Sequence, residues 1–240
     1  AHQALALVRS FITSGKTWAV IADIRKCFDS LDHDVLMGLV ARKIGDQAIL
    51  DLITHWLTVD VLDFCDLIPT DVGVPQGESI SPLLANIYLD PFDKHFERLG
   101  LSFVRYADDI TIMASCEEEA QKALGYMADF MHNPLHLELK PAKTNHVAIK
   151  DGFNFLGFRL ALDGVEIQAP KMERVTELLR DQLKALGDAN STLDQRVSAL
   201  IRTNAVVRGF RNYFRLPNEP KIADQMTYLD GRIEQMAHYY

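Results

Sequence analysis

The sequence predicts an α+β domain followed by an all-helical module. Three observations predict it. Short apolar runs alternate with amphipathic stretches through about residue 170. From Pro170 to Tyr240 only helical patterning continues. Acids end or divide apolar runs: Asp23 closes TWAVIAD, and Asp108-Asp109 divide FVRYADDITIMA.

The elements follow in chain order. Residues 3–13 place Leu5, Val8 and Ile12 on one side of a helix. TWAVIAD (17–23) reads as a strand buried on both faces. Asp32 is the expected N-cap of a helix over about 33–44, and a second helix covers about 46–58. VPQGESIS (74–81) is a polar loop that enters a helix with Ser81 as N-cap and Pro82 at N1. Asp90-Pro91 is expected to interrupt that helix and restart it. Residues 103–114 form a hairpin with the two aspartates at its tip. Three glutamates open a helix over 117–132, where acids complement the positive end of the dipole. A strand near 145–149 follows. GFNFLGFRLAL, an Asp163-Gly164 turn and VEIQA then make a hairpin. The helical tail breaks near Gly187 and Pro217. The expected division is 1–169 and 170–240, with the boundary at Pro170.

Bulk properties narrow the class. The 240 residues suffice for one large domain or two small ones. Hydrophobic residues at 48% and charged ones at 24% are ordinary for a soluble chain. No apolar run reaches the roughly 18 residues of a membrane span, and AHQALALVRSF lacks a signal-peptide core, so a cytoplasmic location with no membrane is expected. The missing initiator Met suggests a piece of a longer protein. Cys27, Cys65 and Cys116 lie far apart with no Cys-x-x-Cys, so reduced, buried thiols are expected. The net charge of −8 weighs against nucleic acid. Its distribution weighs the other way. Residues 195–216 hold five arginines and no acid, with Arg208, Arg211 and Arg215 on one helical face. That face is either a solvated surface or a phosphate-binding one.

The acids carry the chemical argument. Alone, Asp108-Asp109 reads as a solvated turn. Asp23, however, ends a buried strand, where an unpaired carboxylate is costly to ionise. Bringing Asp23 beside Asp108 and Asp109 concentrates three like charges. Divalent ions would make that tolerable, and two ions about 3.5–4 Å apart on shared carboxylates suit nucleotidyl transfer. Hard carboxylate oxygens suit Mg²⁺, which keeps waters and phosphates as further ligands.

The blocks DIRKCFDSLDHDVL (23–36), GVPQGESISPLLANIYLD (73–90), RYADD (105–109), LELKPAKT (137–144) and FNFLGF (153–158) resemble reverse transcriptases. They look most like the bacterial group II intron-like branch, which includes CRISPR-associated enzymes of the type fused to Cas1. They stand in the family's order and cover about residues 1–170. The resemblance implies a polymerase palm, an antiparallel sheet with packed helices, followed by a helical thumb-like module, with fingers largely missing. It implies RNA-directed DNA polymerase activity with two Mg²⁺ ions, or Mn²⁺ in their place. Asp23, Asp108 and Asp109 would be the catalytic, metal-binding carboxylates, with Asp109 in the lesser role. Phe28 would sit under the sugar and exclude a 2′-hydroxyl; outside the family it would be a core aromatic. Gln76 and Gly77 would line the nucleotide pocket. Lys143 would approach the triphosphate and protonate the leaving pyrophosphate, unless it is a plain surface lysine. Leu156 and Gly157 would support the primer end. Arg208, Arg211 and Arg215 would contact the nucleic-acid backbone. Asp29, Asp32 and Asp34 read as helix caps and first-turn acids. The implied partners are an RNA template, a DNA or RNA primer and dNTPs. CRISPR spacer acquisition from RNA would add Cas1, Cas2 or other Cas domains.

Glu78 departs from the family, which carries a small residue there. Ser81-Pro82 departs from diversity-generating elements, and no Val-Thr-Gly of retron enzymes stands in the tail. Two alternatives remain within the fold: a group II intron maturase, and an idle palm that only binds RNA or protein. An RNA-dependent RNA polymerase shares the palm, but Phe28 opposes it, since that enzyme must admit the 2′-hydroxyl.

Overall fold

In the computed structural model, residues 1–58, 61–63, 66–68, 72–75, 77–187 and 190–239 are described. They form two compact units, essentially residues 3–148 and 149–240. The antiparallel sheets and packed helices make the α+β class expected from sequence.

In the first unit, α1 (His2–Thr13) buries Leu5 and Val8. Strand β1 (Trp18–Asp23) buries Ala19, Val20, Ala22 and Asp23. Helices α2 (His33–Ala41) and α3 (Gln47–Thr58) follow. Asp32 caps α2 as expected, its carboxylate accepting from the Val35 N–H at 3.0 Å. A short pair, β2 (Val61–Asp63) and β3 (Asp66–Ile68), lies in a stretch for which no strand was expected. Helix α4 (Ser81–Arg98) then runs unbroken through Pro91, against the expected interruption. Proline removes one helical bond, to the Ile87 carbonyl. Burial of Tyr88, Leu89, Phe92 and Phe96 holds the helix across that gap. Ser81 is the first helical residue rather than the cap; its hydroxyl donates to the Pro75 carbonyl at 2.5 Å.

Strands β4 (Ser102–Tyr106) and β5 (Asp109–Ala114), helix α5 (Glu117–His132) and strand β6 (Asn145–Ala148) complete the unit. The sheet order is β4-β5-β1-β6, antiparallel throughout. Helix α5 packs on β1, β5 and β6. The core between sheet and helices joins Val20, Ile24, Ile110 and Ile112 to the α4 aromatics and to Met127 and Met131.

The second unit pairs β7 (Phe153–Phe155), β8 (Phe158–Ala161) and β9 (Gly164–Ile167) with helices α6 (Ala169–Gly187), α7 (Leu193–Phe214) and α8 (Pro220–Tyr239). The division therefore falls near residue 148 rather than at Pro170. The reason is local. The Gln225 side chain on α8 donates to and accepts from the Ile167 backbone at 2.9 and 2.7 Å. Glu219 accepts the Val165 N–H at 3.2 Å. These side chains satisfy the free edge of β9 and tie the small sheet to the helices. Among the described residues, no helix is long and apolar enough to cross a membrane.

Candidate active site

The site is built by β1, the β4–β5 hairpin and the segment that follows α5. Asp23 ends β1 directly opposite Asp109, the first residue of β5. A two-residue turn, Ala107-Asp108, joins β4 to β5 and puts Asp108 next to that pair. Like charges facing across strands repel, and here the sheet register enforces the meeting.

Asp23 is 7% exposed. Each of its oxygens accepts one ammonium: Lys140 Nζ at 2.7 Å and Lys143 Nζ at 2.6 Å. Burial opposes ionisation of Asp23, but the two lysine hydrogen bonds and charges outweigh it and hold the carboxyl below the usual range. Asp109 goes the other way. Burial, then the charges of Asp108 and Asp23, raise it. Lys143 is raised by its hydrogen bond to Asp23 and by that charge, so it is firmly an ammonium. The backbone repeats the tie, with the Lys140 N–H donating to the Asp23 carbonyl at 2.8 Å.

Arg105 fixes the hairpin tip. Its guanidinium clasps Asp93 of α4 at 2.7 and 2.5 Å, with one nitrogen also donating to Asn86 at 3.0 Å and to the Ala107 carbonyl at 3.1 Å. Ala107 holds φ at 55°, a conformation that L residues seldom adopt and that costs about 1–3 kcal/mol. Half-buried, bidentate Arg105 is well placed to maintain it.

Phe28 opens a short 3₁₀ turn, Phe28–Ser30. It lines a cavity of about 380 Å³ together with Ala85, Asn86, Tyr106 and Asp108. The loop before α4 is strapped to this turn: Val74 N–H donates to the Phe28 carbonyl at 2.7 Å, and Gly73 N–H to Leu31 at 2.8 Å. Gly73 has φ 93°, and a Cβ there would meet the Asp29 backbone at 2.8 Å. Cys27 also lines the cavity, but burial and then Asp108 push its thiol up to about 12, which denies it a nucleophilic role.

The structure thus gathers Asp23, Asp108, Asp109 and Lys143, with Phe28 beside Asp108. Gln76 lies outside the described residues. Gly77 is exposed at φ 93° with open space around it. Glu78 is exposed. Leu156 and Gly157 form the β7–β8 turn, and Arg208, Arg211 and Arg215 share one pocket; all five lie in the second unit. Arg211 pairs with Asp230 of α8, so this residue of the expected phosphate-binding face is engaged within the unit. Cys27 is buried as expected, whereas Cys116, just before α5, is exposed. Cys65 is outside the described residues.

Sequence reasoning missed Lys140, Arg105 and Asp93. Signals existed. Lys140 stands three residues before Lys143 in the same block, and Arg105 is a lone cation within an apolar strand.

Carboxylates are the right donors in kind for Mg²⁺. Their placement is closed: lysines stand on both Asp23 oxygens. Among the described residues, no three His, Cys, Asp or Glu side chains converge as metal ligands.

Comparison with known proteins follows the same lines. A family profile described as "Reverse transcriptase (RNA-dependent DNA polymerase)" matches residues 3–160. The group II intron-encoded protein LtrA of Lactococcus lactis subsp. cremoris is 25% identical, over 95% of this chain and 53% of its own length. Protein YkfC of Escherichia coli is 28% identical, over 66% of this chain and 52% of its own. The chain spans about half the length of these curated relatives. Among solved structures, apo telomerase from Candida tropicalis superposes with a TM-score of 0.59 at 14% identity, over 99% of this chain and 50% of that one. At this identity the likeness shows the fold.

Proposed function

Since this chain belongs to the reverse transcriptase family, we propose that it extends a primer on an RNA template, using dNTPs. The observation that carries the reading is the Asp23–Asp109 register pair with Asp108 in the adjoining turn. Asp23 and Asp108 would hold Mg²⁺, or Mn²⁺ in its place, with Asp109 in support; the bound ions would supply an activated attacking oxygen and charge stabilisation on the leaving phosphate. Lys140 and Lys143 give up the Asp23 oxygens when the site is loaded. Lys143 keeps its proton at Nζ and turns it to the triphosphate. Phe28, beside Asp108 in the cavity, packs under the sugar and leaves no room for a 2′-hydroxyl. Gln76 and Gly77 border the nucleotide pocket. In the second unit, Leu156-Gly157 supports the primer, and Arg208 and Arg215, with Arg211 once released from Asp230, contact backbone phosphates.

A primer-extension assay on an RNA template with Mg²⁺ and dNTPs tests this. Extension that depends on the ion supports it. RNA binding without extension would leave an idle palm.

The biological setting is a second question. Group II intron-encoded LtrA and the nuclear intron maturase 3 of Arabidopsis thaliana are among the relatives. They favour an intron-associated role over spacer acquisition with Cas1 or Cas2, which the branch resemblance also allowed. Splicing of the cognate intron RNA with and without the protein separates the two.

A further inference from the structure

Helix α4 has two working faces. Pro82, Ala85, Asn86 and Leu89 line the Phe28–Asp108 cavity, and Asp93 holds Arg105. Ile87, Pro91, Lys94, His95 and Arg98 line a different groove, of about 590 Å³. At 3.6 residues per turn the two sets are centred roughly 170° apart around the helix. The groove is therefore separate from the candidate active site, and it lies wholly within the first unit.

Its chemistry is cationic and aromatic. Arg42 and Lys43, just past the end of α2, join Lys94 and Arg98 there, against one acid, Asp90. Asp90 pairs with Lys94 at 2.5 Å. Among the described residues, Arg42, Lys43 and Arg98 show no ion pair. Cations gather here in a chain whose net charge is −8. Complementing the C-terminal dipoles of α2 and α4 accounts for part of this. It does not account for the apolar, flat wall beside the cations. The His95 ring stacks on Phe130 of α5, with centroids 4.6 Å apart and planes at 24°. Both rings line the groove. Pro91 also lines it.

Cations for phosphates and a flat ring surface for a base are the requirements of a single-stranded nucleic acid. An acidic peptide would use the cations but not the rings. We propose that this groove binds a short stretch of single-stranded RNA, distinct from the template that enters the active site. The proposal rests on the polymerase reading only for the availability of RNA.

The test uses the whole protein with its active site saturated by unlabelled template–primer. A labelled RNA oligonucleotide is then titrated at several salt concentrations. Wild type should bind it at a second site. Replacing Arg42, Lys43 and Arg98 with Gln should weaken that binding at least about tenfold. It should also flatten the slope of log K against log salt by roughly 2, the value for three contacts to a single strand. These side chains are exposed, so folding should be unchanged, and extension per bound template–primer should be unchanged too. His95→Ala should weaken RNA binding but not the binding of a polyglutamate peptide. Equal RNA binding by the triple variant and wild type would overturn the proposal. So would a preference for polyglutamate over RNA. Loss of primer extension in wild type, with second-site binding intact, would sink the polymerase reading and leave the groove standing.

Discussion

Two of the two-residue hairpin turns among the described residues, β4–β5 and β7–β8, bend the backbone to positive φ. At Ala107-Asp108 the turn carries acids and is held from outside, by Arg105 reaching back to α4. At Leu156-Gly157 both residues take positive φ, 49° and 83°, the I′ geometry that suits a right-handed hairpin twist. That tip is neutral. Its Leu156 carbonyl accepts from the Tyr213 hydroxyl at 3.1 Å, and the missing Cβ of Gly157 leaves room for the Phe214 ring. The first tip is charged, and the proposed function gives it a chemical task. The second is neutral and is packed against Tyr213 and Phe214. The same local device carries charge in one place and aromatic packing in the other, and the surroundings decide which.

Substitutions should separate the two. The largest effect belongs to the charged tip and its partner strand. Asp23→Asn should cut single-nucleotide incorporation at least about 10³-fold, since it removes an ion-binding carboxylate worth several kcal/mol of barrier. Next comes the support. Arg105→Met should reduce incorporation by about 10²-fold through misplacement of Asp108, with nucleotide KM less affected than kcat. Arg105→Lys should not restore it, because an ammonium cannot make the bidentate clasp. At the neutral tip, Gly157→Ala should lower incorporation less than Arg105→Met does, because Gly157 is proposed to support the primer and not the ions. It should cost about 1–3 kcal/mol of stability, from φ 83° and a Phe214 contact at 3.3 Å. A melting curve reads that directly.

The smallest effects test the electrostatics by sign. Asp23 has a depressed carboxyl, so it contributes stability above the ordinary carboxylate range, and this is lost as pH falls through its lowered value. Asp23→Asn should therefore destabilise the protein at neutral pH, by about 1 kcal/mol given how exposed its lysine partners are. Asp109 is raised, so its charge opposes folding at neutral pH. Asp109→Asn should stabilise slightly at neutral pH. That gain should fade as pH drops through the raised value, where the wild-type carboxyl protonates. Thermal melts across pH 3–7 distinguish the two signs.

Much of this was legible in the sequence. Strand-ending Asp23 and the divided hairpin predicted the acidic meeting, because a period-2 register leaves an end residue few places to go. Asp32 and the first-turn glutamates of α5 marked helix starts through local chemistry. What failed was non-local. Pro91 was read as a break, yet four buried aromatic and aliphatic side chains override one missing bond. The boundary at Pro170 was read from element type, while Gln225 and Glu219 tie the small sheet to the helices by contacts about 55 residues apart. Arg105 and Lys140 act through partners on other elements, and no local pattern announces such partners.

The central claim is that Asp108, at the strained tip, serves chemistry rather than folding. Asp108→Asn is the direct test, with single-nucleotide incorporation measured on an RNA template at saturating primer and Mg²⁺ beside a melting curve of the same preparation. The account predicts incorporation reduced at least about 10³-fold, with template–primer still bound and a melting temperature equal to or above wild type, because one charge has left an acidic cluster. DNA synthesis retained at wild-type rate by this variant would contradict it.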